Sequence, residues 1–581
     1  MSAGGLPVLL AGVVDAARSA PQRPALITIG SGSAAVRRRA RAPRGAAATG
    51  GVVSFGRLYE RIAAAASGLV ALGLRAGDRT VLLVPPGPDF GVAAFALLAC
   101  GAVPVLIDPG IGVRRVRRAL AEVAPVAFVG SAGAHAARRA LGWAPAARHA
   151  ILAGSGRVPR DLTARMAITT LAEVERMGDP DRPWRPRPAD AEAAVLFTSG
   201  STGTPKAVVY RHPHFAAQVA ALRRVYDLRP GEVNVATFPP FALFGPALGM
   251  TTVLPRMDFT RPAAADPRRL FAAVDGTAAD VLFASPALLE VLARHGERTG
   301  TGLASLRLVL SAGAPVPVDL AARTAALLPP SAVVSTPYGM TEALPVCVIG
   351  GDDLRATSGL HDPPRGVCVG RPVPGTTVVV AEVGTGAVTP VAHDGVVGEL
   401  VVSGPQVTDA YVARPDAMAR AKTTVDGRPA HRTGDLGWRD GHGRIWFAGR
   451  VVHRVIAPAG ALDPLPVEQV VGAHPAVRRA ALVSVGGAPL LVVQPTAAWW
   501  RAARRGGRRA HGDALVGQLR ARLDAYAHTA QVGGPVLRRH FPVDARHNAK
   551  VGYEQLARWA AARRRGRWIP VGRRAFGGAA T

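Results

Sequence analysis

The stretch AAVLFTSGSTGTPKAVVYRH, residues 193–212, holds residue types suited to chemistry at close spacing. An apolar strand ending at Phe197 runs into Thr198, Ser199, Gly200, Ser201, Thr202 and Gly203, and Lys206 closes the loop. Bare backbone N–H groups and hydroxyls can surround phosphate oxygens, and an ammonium adds a point charge where negative charge gathers. The spacing is not GxxxxGK[ST], which excludes a Walker A loop. Taken alone, the segment also reads as a polar strand-to-helix turn.

It does not stand alone. LSAGAPV (310–316), STPYGMTEA (335–343), GELVVSGP (398–405), HRTGDLGWRDGHGRIWFAGR (431–450) and ARHNAKVGYEQL (545–556) follow in order. Together the motifs resemble those of the adenylate-forming superfamily of acyl-CoA synthetases, peptide-synthetase adenylation domains and luciferases, from about Leu6 to Leu556. The resemblance implies ATP and Mg²⁺. It implies that Thr198, Ser199, Gly200, Ser201, Thr202, Gly203 and Lys206 hold the triphosphate and then the departing pyrophosphate. Gly313, Ala314 and Pro315 would flank the adenine, with Tyr338 stacked on it and Gly339 and Met340 beside the nucleotide. Thr341 would touch the α-phosphate, and Glu342 would ligate Mg²⁺, a hard cation that takes carboxylate and phosphate oxygens. Asp435 would accept both ribose hydroxyls, with Arg450 nearby at a domain junction. Lys550 would span the substrate carboxylate and the α-phosphate from a mobile domain.

Three departures narrow the resemblance. The ending is AspAlaArgHisAsnAlaLys (544–550) rather than the common ProLysThr…GlyLys, Val452 stands where a hinge aspartate is usual, and Ala242 fills a slot that often holds a histidine or aromatic. With TFPPFALFGPALGM (237–250), GVCVGRPVPG (366–375) and GRVVHRV (449–455), they resemble one branch, the β-lactone synthetases of bacterial long-chain olefin biosynthesis. That branch implies a long-chain 2-alkyl-3-hydroxy fatty acid, activated as its acyl adenylate and closed to a β-lactone without CoA. Other enzymes of the same lipid pathway would be its partners. A fatty acyl-CoA or acyl-AMP ligase is the alternative, and a non-catalytic binding protein of the same fold is another. Phe238, Phe241, Leu243, Phe244 and Met250 are expected to line the acyl pocket. His212, His214, His453 and His547 are candidates for the base of the second step by residue type only.

Composition bears on the lysines. The net charge is +30, yet Lys206, Lys422 and Lys550 are the only lysines, so arginine carries the excess. Where arginine serves as the general cation, a retained lysine marks a need for a compact ammonium. Lys206 and Lys550 fall on the motifs, whereas Lys422 is expected at the surface. The arginines cluster at 33–46, 501–510 and 562–574 and read as solvated inserts or a tail, which predicts no dedicated nucleic-acid partner but some adhesion to anionic surfaces, membranes included. Cys100, Cys347 and Cys368 are too scattered for a disulfide framework or zinc site, and no basic stretch precedes Leu6, so a cytoplasmic protein is expected.

The elements that must position these residues read as α/β. Helical stretches alternate with TVLLV (80–84), AVPVLID (102–108) and VAFVG (126–130), the rhythm of parallel strands, and the pattern returns at 281–350. The apolar run 91–107 contains Gly101 and Pro104, which predicts a buried helix entering a strand. From 369 to 447 short strands suggest a small antiparallel β subdomain. The expected organisation is a large nucleotide-binding domain, 1–449, of layered α/β subdomains plus that β subdomain, and a smaller mobile α+β domain, 450–581.

Overall fold

The computed structural model describes residues 7–29, 51–154, 156, 167–182, 184, 187–188, 190–198, 205–384, 386–543 and 551–565. Two large sheets dominate. In the eight-stranded sheet, six parallel strands run in the order Ile168–Thr170, His149–Leu152, Ala127–Gly130, Arg79–Leu83, Val103–Leu106, Glu192–Phe197. Ala207–Arg211 and Ala410–Tyr411 then continue it antiparallel. The loop from Thr198 to Lys206 therefore joins two strands of a hairpin, and not a strand to a helix.

The apolar run in the first sheet folds as the sequence suggests. Helix Pro88–Cys100 is buried on all sides, ends at Gly101 in a left-handed conformation (φ 81°), and leads into strand Val103–Leu106. Glycine adopts that conformation without a Cβ clash, so the chain can reverse directly into the sheet.

The fourteen-stranded sheet has a parallel half, Pro24–Thr28, Thr251–Leu254, Val233–Ala236, Val281–Phe283, Leu308–Leu310 and Val333–Met340. Its other half is antiparallel: Ala343–Gly350, Val367–Pro372, Ile445–Arg450, Arg428–Arg439, Gly398–Ser403 and Thr377–Ala381. The change of direction comes at 341–342, earlier than the strand pattern at 369 suggested, because Val333–Met340 and Ala343–Gly350 form a tight hairpin. That turn carries Thr341 and Glu342.

The apolar clusters divide between Trp446 and Val455. Beyond that point, strands Val477–Val485, Ala488–Pro495 and Gly533–Leu537 pack with helices Pro464–Gly472, Arg508–Asp524 and Tyr553–Arg565. The cluster at 501–510, expected as a solvated insert, lies largely within helices Ala497–Arg505 and Arg508–Asp524. Ala503, Leu515 and Leu519 anchor these helices while the arginines stay outside. The clusters at 33–46 and 566–574 lie outside the described residues. Among the described residues no helix is long and apolar enough to cross a membrane.

Candidate active site

The two sheets meet where the motifs converge. Tyr210, on the strand after the hydroxyl-rich loop, donates to the Thr341 carbonyl at 2.6 Å and receives a bond from Gln218 Nε2 at 3.3 Å. The turn bearing Thr341 and Glu342 is thus tied to the sheet bearing Lys206. The loop itself is closed by reciprocal bonds: Thr198 N–H donates to the Lys206 carbonyl and Lys206 N–H to Thr198 Oγ1, both at 3.0 Å. Ser199, Gly200, Ser201, Thr202 and Gly203 lie outside the described residues.

Around Glu342 the charges are dense. Tyr411 donates to Glu342 Oε1 at 2.6 Å, and Lys206 Nζ sits 3.4 Å from the Tyr411 oxygen and 4.8 Å from its ring centroid. Burial by itself would raise the Glu342 carboxyl, but His431, the Tyr411 hydroxyl, Lys206 and Lys422 together hold it below the usual carboxylate range. Burial also lowers Lys206, against the pull of Glu342. Such a site carries surplus positive charge, suited to a polyanion.

The implied divalent cation fits this arrangement. Glu342 Oε2 has no hydrogen-bond partner among the described residues, and no cluster of three or more ligating side chains exists there either. One carboxylate completed by phosphate oxygens and water is the usual ligation of Mg²⁺.

At the other end, Asp435 lies on the long strand Arg428–Arg439 and is 5% exposed. Tyr338 donates to its Oδ2 at 2.7 Å, and Arg450 Nη1 lies 2.9 Å from Oδ1. Asp435 and Arg450 are cross-strand partners, which fixes the pair. The preceding Gly434 is left-handed (φ 68°) and its N–H donates to Glu399 Oε1 at 3.2 Å. Tyr338, Gly339 and Met340 form the end of strand Val333–Met340. Gly313, Ala314 and Pro315 follow the adjacent strand Leu308–Leu310 as a loop.

The expected acyl residues form an aromatic plug. Phe241 stacks on Phe283 (centroids 3.9 Å apart, 15° between planes), and Phe238 and Phe244 each lie 6.0 Å from Phe241. Phe241, Phe244 and Met250 line a cavity of only about 20 Å³; Phe238 and Leu243 are not in its lining. Ala242 is buried, 3% exposed.

Histidines by residue type were poor guides. His212 lines a separate cavity of about 690 Å³ with Arg79, Arg187 and Glu192, at the opposite end of strand Glu192–Phe197 from Thr198. His214 Nδ1 accepts from Arg211 N–H at 3.0 Å and caps its helix. His453 stacks on Tyr553 at 4.0 Å. His547 and Lys550 lie outside the described residues. Among the described residues His431, not singled out, is the histidine beside Glu342: it is buried, and burial pushes it down to about 3. Lys422, expected at the surface, is drawn inward: its ammonium donates to the Thr408 carbonyl and lies 5.1 Å from the Tyr411 ring centroid. Its being one of only three lysines was the available signal.

Residues 15–412 match the AMP-binding enzyme family. The chain belongs to that family, whose members activate carboxylates with ATP as acyl adenylates. It is 44% identical over 541 residues to the olefin beta-lactone synthetase of Xanthomonas campestris pv. campestris, covering 90% of this chain and 94% of that protein. The olefin beta-lactone synthetase of Stenotrophomonas maltophilia is 43% identical, over 90% and 93%. The fold is that of ATP-bound MatB from Rhodopseudomonas palustris, with a TM-score of 0.72, 20% identity, and coverage of 96% of this chain and 99% of that one.

Proposed function

We propose that the protein activates a long-chain 2-alkyl-3-hydroxy fatty acid with ATP and closes the resulting acyl adenylate to a β-lactone, releasing AMP and pyrophosphate without CoA. The observation that carries this reading is the likeness to olefin beta-lactone synthetases along 90% of the chain. In the first step a substrate carboxylate oxygen attacks the α-phosphorus and the bond to the β-phosphate oxygen breaks. Lys206 and the loop beginning at Thr198 receive the charge of the departing pyrophosphate. Asp435 and Arg450 hold the ribose, Tyr338 with Gly313–Pro315 the adenine, and Thr341 the α-phosphate. Glu342 would hold Mg²⁺, which supplies charge neutralisation between phosphate oxygens. Lys550, on a segment that turns about 450–452, would bridge the two reacting groups.

In the second step the substrate's own 3-hydroxyl oxygen attacks the acyl carbon, the bond to AMP breaks, and the hydroxyl proton leaves. A four-membered ring is strained, so the reactive acyl adenylate must drive the closure and alignment must lower its barrier; enforced proximity contributes up to about 7–11 kcal/mol of that reduction. The acyl chains would enter by parting Phe241 from Phe283, which gives the buried Ala242 helix a role in shaping the pocket. Pyrophosphate release tests the first step. The hydroxy acid should support it in the wild type, and Lys550→Ala should abolish it while ATP still binds; undiminished release by the variant would remove Lys550 from the mechanism.

A further inference from the structure

Lys422 faces His431 across the ladder between Lys422–Val425 and Arg428–Arg439. Its Nζ donates to the Thr408 carbonyl and, at 3.1 Å, to the Thr408 hydroxyl. That hydroxyl donates onward to the Glu342 carbonyl at 3.1 Å, and the Thr408 N–H donates to the same oxygen at 2.9 Å. A continuous chain of donors therefore runs from the ammonium to the main chain of Glu342, each bond polarised by the charge at its head. On the other side of the cluster, Lys422 and Lys206 both lie against the Tyr411 ring, whose hydroxyl is bound to the Glu342 side chain.

Desolvating an ammonium is costly unless it is well partnered. Burial lowers Lys422 to about 8; Glu342 and Asp409 oppose that shift and Lys206 adds to it. An apolar side chain would fill the space without this cost. A guanidinium spreads its donors over a rigid fork, whereas a single ammonium can place two N–H groups on the two oxygens of one threonine.

We propose that Lys422 is a positioning residue for the cation-holding carboxylate: through Thr408 it fixes the Glu342 main chain, and with Lys206 it frames Tyr411, so that one Glu342 oxygen is committed to Tyr411 and the other is kept for the metal. The proposal rests on Glu342 being the metal's ligand. Mn²⁺ is the probe, its binding to the full chain followed by electron paramagnetic resonance in the presence and absence of ATP. With ATP, Lys422→Met should weaken Mn²⁺ at least tenfold and Thr408→Val about threefold, with the double variant no weaker than Lys422→Met. Lys422→Arg should not restore binding, and metal-free ATP affinity should change less than twofold in each. Mn²⁺ affinity kept within twofold by Lys422→Met, while Glu342→Gln loses it, would overturn the proposal. Retention by Glu342→Gln itself would instead overturn Glu342 as the ligand. If Lys422→Met shows no cooperative thermal transition, Thr408→Val decides, and affinity within twofold of wild type would be the contrary result.

Discussion

Tyr411 donates its hydroxyl hydrogen to Glu342 Oε1 at 2.6 Å, joining a strand of one sheet to the hairpin turn of the other. The bond spans 69 residues of sequence and leaves the second carboxylate oxygen without a protein partner among the described residues. Glu342 is thus oriented before any phosphate arrives.

Tyr411→Phe removes that donor and little volume. A hydrogen bond to a charged group is worth about 1.5–3 kcal/mol, so metal-dependent ATP affinity should fall roughly 10- to 150-fold. Isothermal titration with ATP, with and without Mg²⁺, checks this: the loss should be confined to the titration with metal, and equal losses in both would mean that Tyr411 acts on the nucleotide directly.

Asp435→Ala should weaken ATP through the ribose. The carboxylate also neutralises Arg450, 2.9 Å away, and anchors Tyr338, so its removal disturbs three elements at once. A loss of about 1.5–3 kcal/mol per hydrogen bond is expected. Comparing ATP with 2′,3′-dideoxy-ATP isolates the ribose contribution: wild type should discriminate strongly between them and the variant hardly at all. Equal discrimination by both proteins would remove Asp435 from the ribose.

Much of this site was legible because its motifs are local. The reciprocal bonds between Thr198 and Lys206, the TyrGlyMetThrGlu strand end and turn, and the ThrGlyAsp strand are each set by short stretches of sequence. Strand pairing was not legible, and it is pairing that brings Tyr411, Lys422 and His431 to Glu342. Lys422 looked like a surface residue because its flanking sequence, AlaArgAlaLysThrThr, carries no apolar period; its partial burial comes from a short strand added to the side of a longer one. The arginines at 501–510 are exposed, as their clustering suggested, but they ride on helices whose buried faces are set by Ala503 and, beyond the cluster, by Leu515 and Leu519.

Glu468 makes the region after Val455 sensitive to pH. Its carboxylate accepts from Leu482 N–H at 2.9 Å and Tyr553 Oη at 2.8 Å, and burial pushes it up to about 8. An unfolded glutamate ionises near 4.5, so between about 4.5 and 8 the folded state holds a proton that the unfolded state has lost. The contribution of this group is therefore fully present below 4.5 and falls as pH rises through that window. Glu468→Gln should flatten the decline, and thermal melting from pH 5 to 9 should show the variant gaining on wild type as pH rises. Parallel curves would place the Glu468 titration elsewhere.

Mass spectrometry of the organic extract from protein, ATP, Mg²⁺ and a long-chain 2-alkyl-3-hydroxy acid, run with and without CoA, tests the central claim most directly. The expected product is a β-lactone lighter than the acid by one water, formed at the same rate in both reactions with stoichiometric AMP and pyrophosphate. A thioester that appears only with CoA, and no lactone in either reaction, would contradict it.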